Sequence, residues 1–354
     1  MLDQLVFRPA VLSDLDDIVQ LAHEARAGMT SLPKDRRLLF QRLKKSQDSL
    51  YKEVTQPSDE IYFFVLEHQL KKKVVGIANI VASVGVSEPF YSYTIHSFKK
   101  QSHYLGKVKP VSLLKLTLTR NGPSEIGGLY VAKQYRKQGV GRFLSLSRFL
   151  FVASFPHRFR KTIIAEMRGV NNSRGQSPFW ASIGKQFFDM DFKVADLESS
   201  MGKQFIADLM PRYPIYINLL PKSVQAVIGK AHQNTLPALK ILESEGFEAG
   251  ASVDIFDGGP KVSCLTSSIR TIHDSKTARI MQSDSMPKNF TELFLVCNDE
   301  LKQFRVLCVP AQVSQDNHAL SLSTHDVMRL QYRRADAVRY VRLYSQHIKR
   351  SVAL

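Results

Sequence analysis

The residues that could do chemistry begin at Leu129. The run Leu129-Tyr130-Val131-Ala-Lys-Gln-Tyr-Arg136-Lys-Gln138-Gly139-Val-Gly141-Arg142 joins a β-rich segment to a bend with two glycines and the start of a long apolar stretch. That order reads as strand, turn, helix. Amide N–H groups at a helix start point outward, and glycines let an anion come close to them. Arg136 and Arg142 can add charge-assisted bonds to phosphate. The bend is not a P-loop, because the first glycine and the terminal Lys-Ser/Thr are missing, and only two of the three Rossmann glycines fit. An ordinary tight turn is the alternative. The preceding strand and the apolar helix shift the reading toward a pyrophosphate cradle.

Three pairs of charges accompany the bend. Glu166 and Arg168 are two apart on an expected strand and so share a face, where they either pair with each other or meet charges on a ligand. Asp254 and Asp257 precede Gly258-Gly259-Pro260, a hard turn in which Asp257 can also cap its own backbone. Asp189 and Asp191 share one face of another expected strand. No His/Asp/Glu cluster suggests a metal, and Trp180 reads as core.

The elements that must position these groups follow from the pattern of apolar residues. Gln4 to Arg8 reads as a strand. A helix capped by Ser13 runs from Asp14 to about Ala27 and ends at Gly28, a loop holds Thr30 to Pro33, and a second helix spans Asp35 to about Tyr51. Ile61 to Glu67 and Val74 to Val86 form a hairpin. A less regular basic stretch follows to about Arg120, with Lys99, Lys100, Lys107, Lys109, Lys115 and Arg120 and no acid. Then come a strand at Ile126 to Val131, a helix at Val140 to about Ser154 and a strand at Thr162 to Met167. A helix ending at Gly184 is followed by a strand-like aromatic run to Phe192. A helix at Thr235 to Phe247 precedes a strand at Val253 to Asp257. The fold class is α/β (α+β), a mixed and mostly antiparallel sheet. The expected units are 1–200, 201–262, and a β-rich barrel-like appendage at 263–354.

The chain has 354 residues, a net charge of +17 and 44% hydrophobic residues, which excludes wholesale disorder. Three cysteines without a C-x-x-C pair exclude a disulfide scaffold and a zinc ribbon. The first residues lack the features of a signal peptide. The most apolar stretch, Phe143 to Phe155, is interrupted by Arg148 and falls short of the ~20 residues a membrane span needs. A cytoplasmic protein without membrane contact is expected. The positive charge suits a nucleotide-bearing anion or a lysine-rich surface. A nucleic-acid binder is the competing class, but no recognition motif supports it.

The strand, Arg-x-x-Gly-x-Gly turn and helix resemble the acyl-CoA signature of the GNAT superfamily of N-acyltransferases. A closer resemblance covers most of the chain. Gly28-Met-Thr-Ser-Leu-Pro33, Ala165-Glu-Met-Arg-Gly-Val170, Ser177-Pro-Phe-Trp180, Phe187-Phe-Asp-Met-Asp-Phe192, Leu209-Met-Pro, Val227-Ile-Gly, Thr235-x-Pro-Ala and Asp254-Ile-Phe-Asp-Gly-Gly-Pro260 are similar to the arginine N-succinyltransferase family. The resemblance thins after Pro260 and between Ser87 and Arg120.

That resemblance implies a GNAT-like core and transfer of succinyl from succinyl-CoA to the α-amine of L-arginine, the first step of arginine catabolism through succinylated intermediates. It puts the proton donor at His232 and a succinyl-CoA contact at Leu129, whose backbone N–H would serve as oxyanion donor. Val131, Arg136, Gln138, Gly139, Gly141 and Arg142 would complete the cofactor site. Arg168 would hold a carboxylate of succinyl or arginine, and Glu166, Asp254 or Asp257 the substrate's amine or guanidinium. No metal is implied, and the protein is expected to be a homo-oligomer or a hetero-oligomer with a related subunit. The chain departs from the family pattern twice, with Gly127-Gly128 in place of Cys-Thr and Asn171-Asn172 in place of an acidic pair. The alternative activity is acyl transfer to another amine, such as ornithine or a protein lysine.

Overall fold

The computed structural model describes residues 1–25, 32–172, 175–282, 292–331 and 337–344. Sixteen strands among them lie in one hydrogen-bonded sheet. Its middle runs from Leu5–Pro9 through Ile61–His68, Lys73–Val81, Ser124–Val131, Thr162–Glu166 and Pro260–Leu265 to Glu248–Val253. All neighbours there are antiparallel except one pair, Ser124–Val131 beside Thr162–Glu166. Parallel neighbours need a long crossover, and the helix Val140–Ser154 provides it. This helix is apolar all round because it is covered all round. Its side chains from Phe143 to Val152 are all buried, against the strands Lys73–Val81 and Ser124–Val131 and the elements beyond.

The parallel pair is short. Ser124 faces Ile163 and Glu125 faces Ile164, and the described ladder goes no further. Beyond Glu125 the two strands part, which opens a splay in the middle of the sheet.

Several expectations are corrected. The basic stretch before Arg120 is a regular hairpin, Phe90–Ser102 paired with Lys107–Thr119. Its outer half is exposed on both faces, so no alternation of apolar residues marked it as strand. The aromatic run at Phe187 to Phe192 is not a strand. A short helix, Gly184–Phe188, ends with Asp189 at φ 47°, and the next helix, Phe192–Met201, starts after Asp191. The aromatic rings pack around Trp180 instead, with Phe188 at 5.3 Å and Phe256 at 5.5 Å between centroids. Asp191 pairs with Lys185 at 2.8 Å and shares no strand face with Asp189.

The first helix begins at Leu15, since the Asp14 carboxylate takes the Val11 amide at 2.8 Å and the Arg8 guanidinium. It ends at Glu24, short of the expected end near Ala27, since Ala25 is already extended, while the expected Gly28 stop, the loop at Thr30 and Ser31 and residues 28–31 of the Gly28–Pro33 motif lie outside the described residues. The second helix, Arg36–Tyr51, is capped by Asp35, which accepts from the amides of Arg37 and Leu38.

The β-rich tail joins the main sheet, because Val306–Pro310 pairs with Leu5–Pro9 and later strands add outward from it. The expected boundary at 262/263 falls inside the strand Pro260–Leu265, and that at 200/201 inside the helix Phe192–Met201.

Candidate active site

A cavity of about 1040 Å³ runs from the Arg136–Arg142 bend through the splay to a group of buried acids. Its wall includes Leu129, Val131, Arg136, Gln138, Gly139, Gly141, Arg142, Glu166, Arg168, Asp254 and Asp257, eleven of the twelve residues named with the family resemblance, whereas the other expected charge pair, Asp189 and Asp191, does not line it. The twelfth, His232, adjoins it through Gln233, Asn234 and Thr235, which line the cavity.

One strand edge of the splay carries a bulge. Gly127 faces Asn79 and Tyr130 faces Ile77, so Gly128 and Leu129 oppose the single residue Ala78. Such a bulge takes backbone groups out of the regular ladder. Gly128 makes it possible with φ 59°, and a Cβ there would come within 2.8 Å of Asn79 Nδ2. The two glycines that depart from the family pattern thus sit at the bend of this strand.

At the turn, Gly139 precedes the helix with φ 82°, and Gln138 has φ 54°. A Cβ on Gly139 would lie 2.7 Å from the Tyr344 hydroxyl, whereas a Cβ on Gly141 would meet nothing within 4 Å. Gly141 therefore leaves open space above the first turn, where helix amides lack intrahelical partners. Arg136 is exposed and anchored by Nε to the Val131 carbonyl at 2.7 Å, with its guanidinium 4.9 Å from the Tyr130 ring. Arg142 is engaged within the fold. Its guanidinium donates to the Leu343 carbonyl (2.8 Å), Ser244 Oγ (3.0 Å) and Glu245 Oε1 (3.3 Å), so its charge is spent on an internal ion pair. What Arg142 offers at the turn is its amide.

The acids form the far end. Burial pushes Glu125 and Asp254 above the usual carboxylate range, and burial together with the charges of Asp254 and Glu125 pushes Glu166 well above it. Glu166 Oε1 is sealed from solvent and has no hydrogen-bond partner among the described residues. Two lysines contribute opposing fields. Lys203 stands 5.3 Å and Lys261 5.4 Å from the Phe90 ring, and burial holds Lys261 below the usual lysine range. Asp254 Oδ1 accepts from the amides of Phe256 (2.7 Å) and Asp257 (2.8 Å). Asp257 accepts from Gly169 (2.7 Å) and Gly259 (2.9 Å), so of its two open readings the turn cap is the one seen. The strand ends at Glu166, so Arg168 lies just beyond it.

His232 is partly exposed. An antiparallel bridge between Gly169 and Ala231 brings it alongside Arg168, whose carbonyl accepts its amide at 2.8 Å. The Asn234 amide donates to His232 Nδ1 at 3.0 Å. That bond leaves the hydrogen of the neutral ring on Nε2.

Sequence reasoning missed Glu125, Arg148 and Lys203. The expected strand begins one residue after Glu125, although Glu125, Gly127 and Leu129 are the half-buried positions of a clear alternation. Arg148 carried a visible signal as the lone charge in an apolar run. Lys203 had none. Among the described residues no group of His, Cys, Asp and Glu could hold a metal, and no helix is long and apolar enough to cross a membrane.

A parallel pair that parts over a bulge, followed by a glycine turn that opens a helix, is the arrangement expected above for an N-acyltransferase. The comparisons narrow this. The family described as arginine N-succinyltransferase beta subunit matches residues 5–271. An arginine N-succinyltransferase of Yersinia pestis (strain Pestoides F) is 37% identical over 349 residues, 97% of this chain and 99% of that protein. One from Enterobacter sp. (strain 638) is 37% identical over 340 residues, 96% of this chain and 98% of that protein. The solved structure of arginine/ornithine succinyltransferase subunit AI from Pseudomonas aeruginosa superposes with a TM-score of 0.87 at 33% identity, covering 97% of this chain and all of that one. The chain belongs to the arginine N-succinyltransferase family.

Proposed function

We propose that this protein transfers succinyl from succinyl-CoA to the α-amine of L-arginine, releasing N2-succinyl-L-arginine and CoA. The observation that supports it best is the continuity of one cavity, from an anion-favouring helix start to a set of buried carboxylates around the unpartnered Glu166 Oε1. The turn at Gln138–Arg142 holds the diphosphate by its amides, and Arg136 adds charge at the rim. The pantetheine arm follows Leu129 and Val131 through the splay. The cationic side chain of arginine enters among Glu125, Glu166 and Asp254, and Arg168 takes the α-carboxylate bidentately.

The reaction needs a neutral amine, a donor for the oxyanion and a proton for the leaving sulfur. The bulge at Gly128–Leu129 makes the Leu129 N–H the oxyanion donor. His232 Nε2–H faces the departing thiolate in this reading, and the Asn234 amide fixes that tautomer. The same acids would accept ornithine, which keeps the amino-acid end and a distal cation, and the relative solved from Pseudomonas aeruginosa is named for both amino acids.

A thiol-release assay across several acyl-CoAs and amines tests the proposal. Release is expected only with succinyl-CoA plus arginine or ornithine. His232→Ala is expected to lower turnover by about 10²–10⁴, the range for a lost general acid or base. Release with acetyl-CoA and a lysine peptide but none with arginine would overturn the substrate assignment.

A further inference from the structure

Arg148 interrupts the most apolar run of the sequence, and the function described above does not use it. It lies near the middle of the helix Val140–Ser154 and is only 2% exposed. Its guanidinium donates to the Ser145 carbonyl (3.2 Å), to Ser145 Oγ (2.8 Å) and to the Gly127 carbonyl (3.4 Å). These bonds satisfy hydrogens but bring no opposite charge, and among the described residues no carboxylate forms an ion pair with it. Three other cations near the cavity stand opposite acids. Arg142 faces Glu245, Arg42 is opposed by Glu125, and Lys261 feels Glu166, Glu125 and Asp254. Burial alone brings Arg148 down to about 9, with no neighbouring charge to offset it.

A buried charge without a counter-charge is costly, so such groups are paired or become paired when a ligand arrives. Arg148 lines the cavity, beside Gly127. Gly127 is two residues from Leu129 across the bulge, so the two lie at most about 7 Å apart along the chain. A four-carbon acyl group whose thioester carbonyl meets the Leu129 amide is long enough to reach toward Gly127 and Arg148. A neutral acyl chain would leave the cation there uncompensated.

We propose that Arg148 is the specificity-determining residue for the acyl donor and binds the free carboxylate of the succinyl group. The assignment rests on the acyl-transfer reading above. It leaves Arg168 for the α-carboxylate of the amino acid, so two arginines on opposite sides of the splay divide the two carboxylates of the reaction.

Calorimetry with succinyl-CoA and butyryl-CoA, which differ by the terminal carboxylate, tests it on the full chain. The wild-type protein is expected to bind succinyl-CoA more tightly. Arg148→Met is expected to reduce the ratio of the two affinities by at least about 100-fold, the scale for truncating one partner of a buried charge pair. Arg148→Lys, which keeps the charge without the fork, is expected to fall between. An unchanged ratio in Arg148→Met, or equal affinities in the wild type, overturns the assignment. Should the variants not fold, as judged by thermal melting, a crystal of the wild-type complex decides. It must place the acyl carboxylate within about 3.5 Å of the Arg148 guanidinium, and a carboxylate held elsewhere refutes it. Failure of the wild type to take up any acyl-CoA would sink the acyl-transfer reading itself. Normal turnover with an unchanged ratio in Arg148→Met would sink only Arg148.

Discussion

Two buried acidic sites of this molecule are built in opposite ways. At Glu245 the carboxylate is fully enclosed and fully used. Oε1 accepts from Arg142 at 3.3 Å and from Arg270 at 2.9 and 2.7 Å, while Oε2 accepts the Thr271 amide at 2.8 Å. The two arginines also hold the carbonyls of Leu343 and Arg342, so this site fastens the C-terminal strand region to the core. At Glu166 the acids crowd one another, and one oxygen has no partner. A satisfied ion pair holds structure, whereas an unsatisfied group of like charges is stable only because something else completes it. The difference separates the residues that keep the fold from those that wait for a ligand.

The largest effect is expected at the satisfied site. Glu245→Ala strands two buried arginines and should cost about 3–5 kcal/mol of stability by equilibrium denaturation. A loss below ~1 kcal/mol would show that the pairing is not what fastens the C-terminal region. Glu166→Gln should do the reverse. The melting temperature is expected to hold or rise, because an amide removes an ionisable group that burial and the neighbouring acids Asp254 and Glu125 make costly to charge. The KM for arginine should rise by about 10-fold or more, the scale for losing a hydrogen bond to a charged group. A sharply lowered melting temperature with normal KM would make Glu166 a structural acid like Glu245.

The smallest effect is on pH dependence. The folded protein keeps protons on Glu166 and its neighbours at pH values where the unfolded chain has released them, because burial raises their pKa values. Ligand-free stability should therefore fall as pH rises from the ordinary carboxylate range through the raised values. A cation favours the ionised acids, so arginine affinity should rise over that window and binding should release protons. Calorimetry in two buffers of different ionisation enthalpy reads this directly. Proton uptake on binding would contradict the cation-among-acids arrangement.

Much of this was legible in the sequence, and the failures have physical causes. The strand, bend and helix from Leu129 onward were plain, because a hydrophobic period, two glycines and a switch of period all coincide there. The helix Arg36–Tyr51 and the Leu236–Glu243 helix were found by apolar spacing. The long basic hairpin was missed since its exposed strands have no buried face to impose alternation. The aromatic run after Gly184 looked extended because large residues fill short helices packed on Trp180. The role of Arg142 depends on Glu245, a hundred residues away in the chain, which no local pattern reveals. Asp254 and Asp257 both line the cavity, and only the turn geometry shows that both also accept backbone amides, Asp254 from Phe256 and Asp257 and Asp257 from Gly169 and Gly259.

The central claim is that the bend between Arg136 and Arg142 holds the diphosphate of CoA and that the splay receives its arm. A crystal structure of the protein with CoA tests this most directly. The account predicts diphosphate oxygens on the amides of residues 138–142 above Gly141, with the thiol between Leu129 and His232. A CoA molecule bound outside the splay, with this bend untouched, would contradict it.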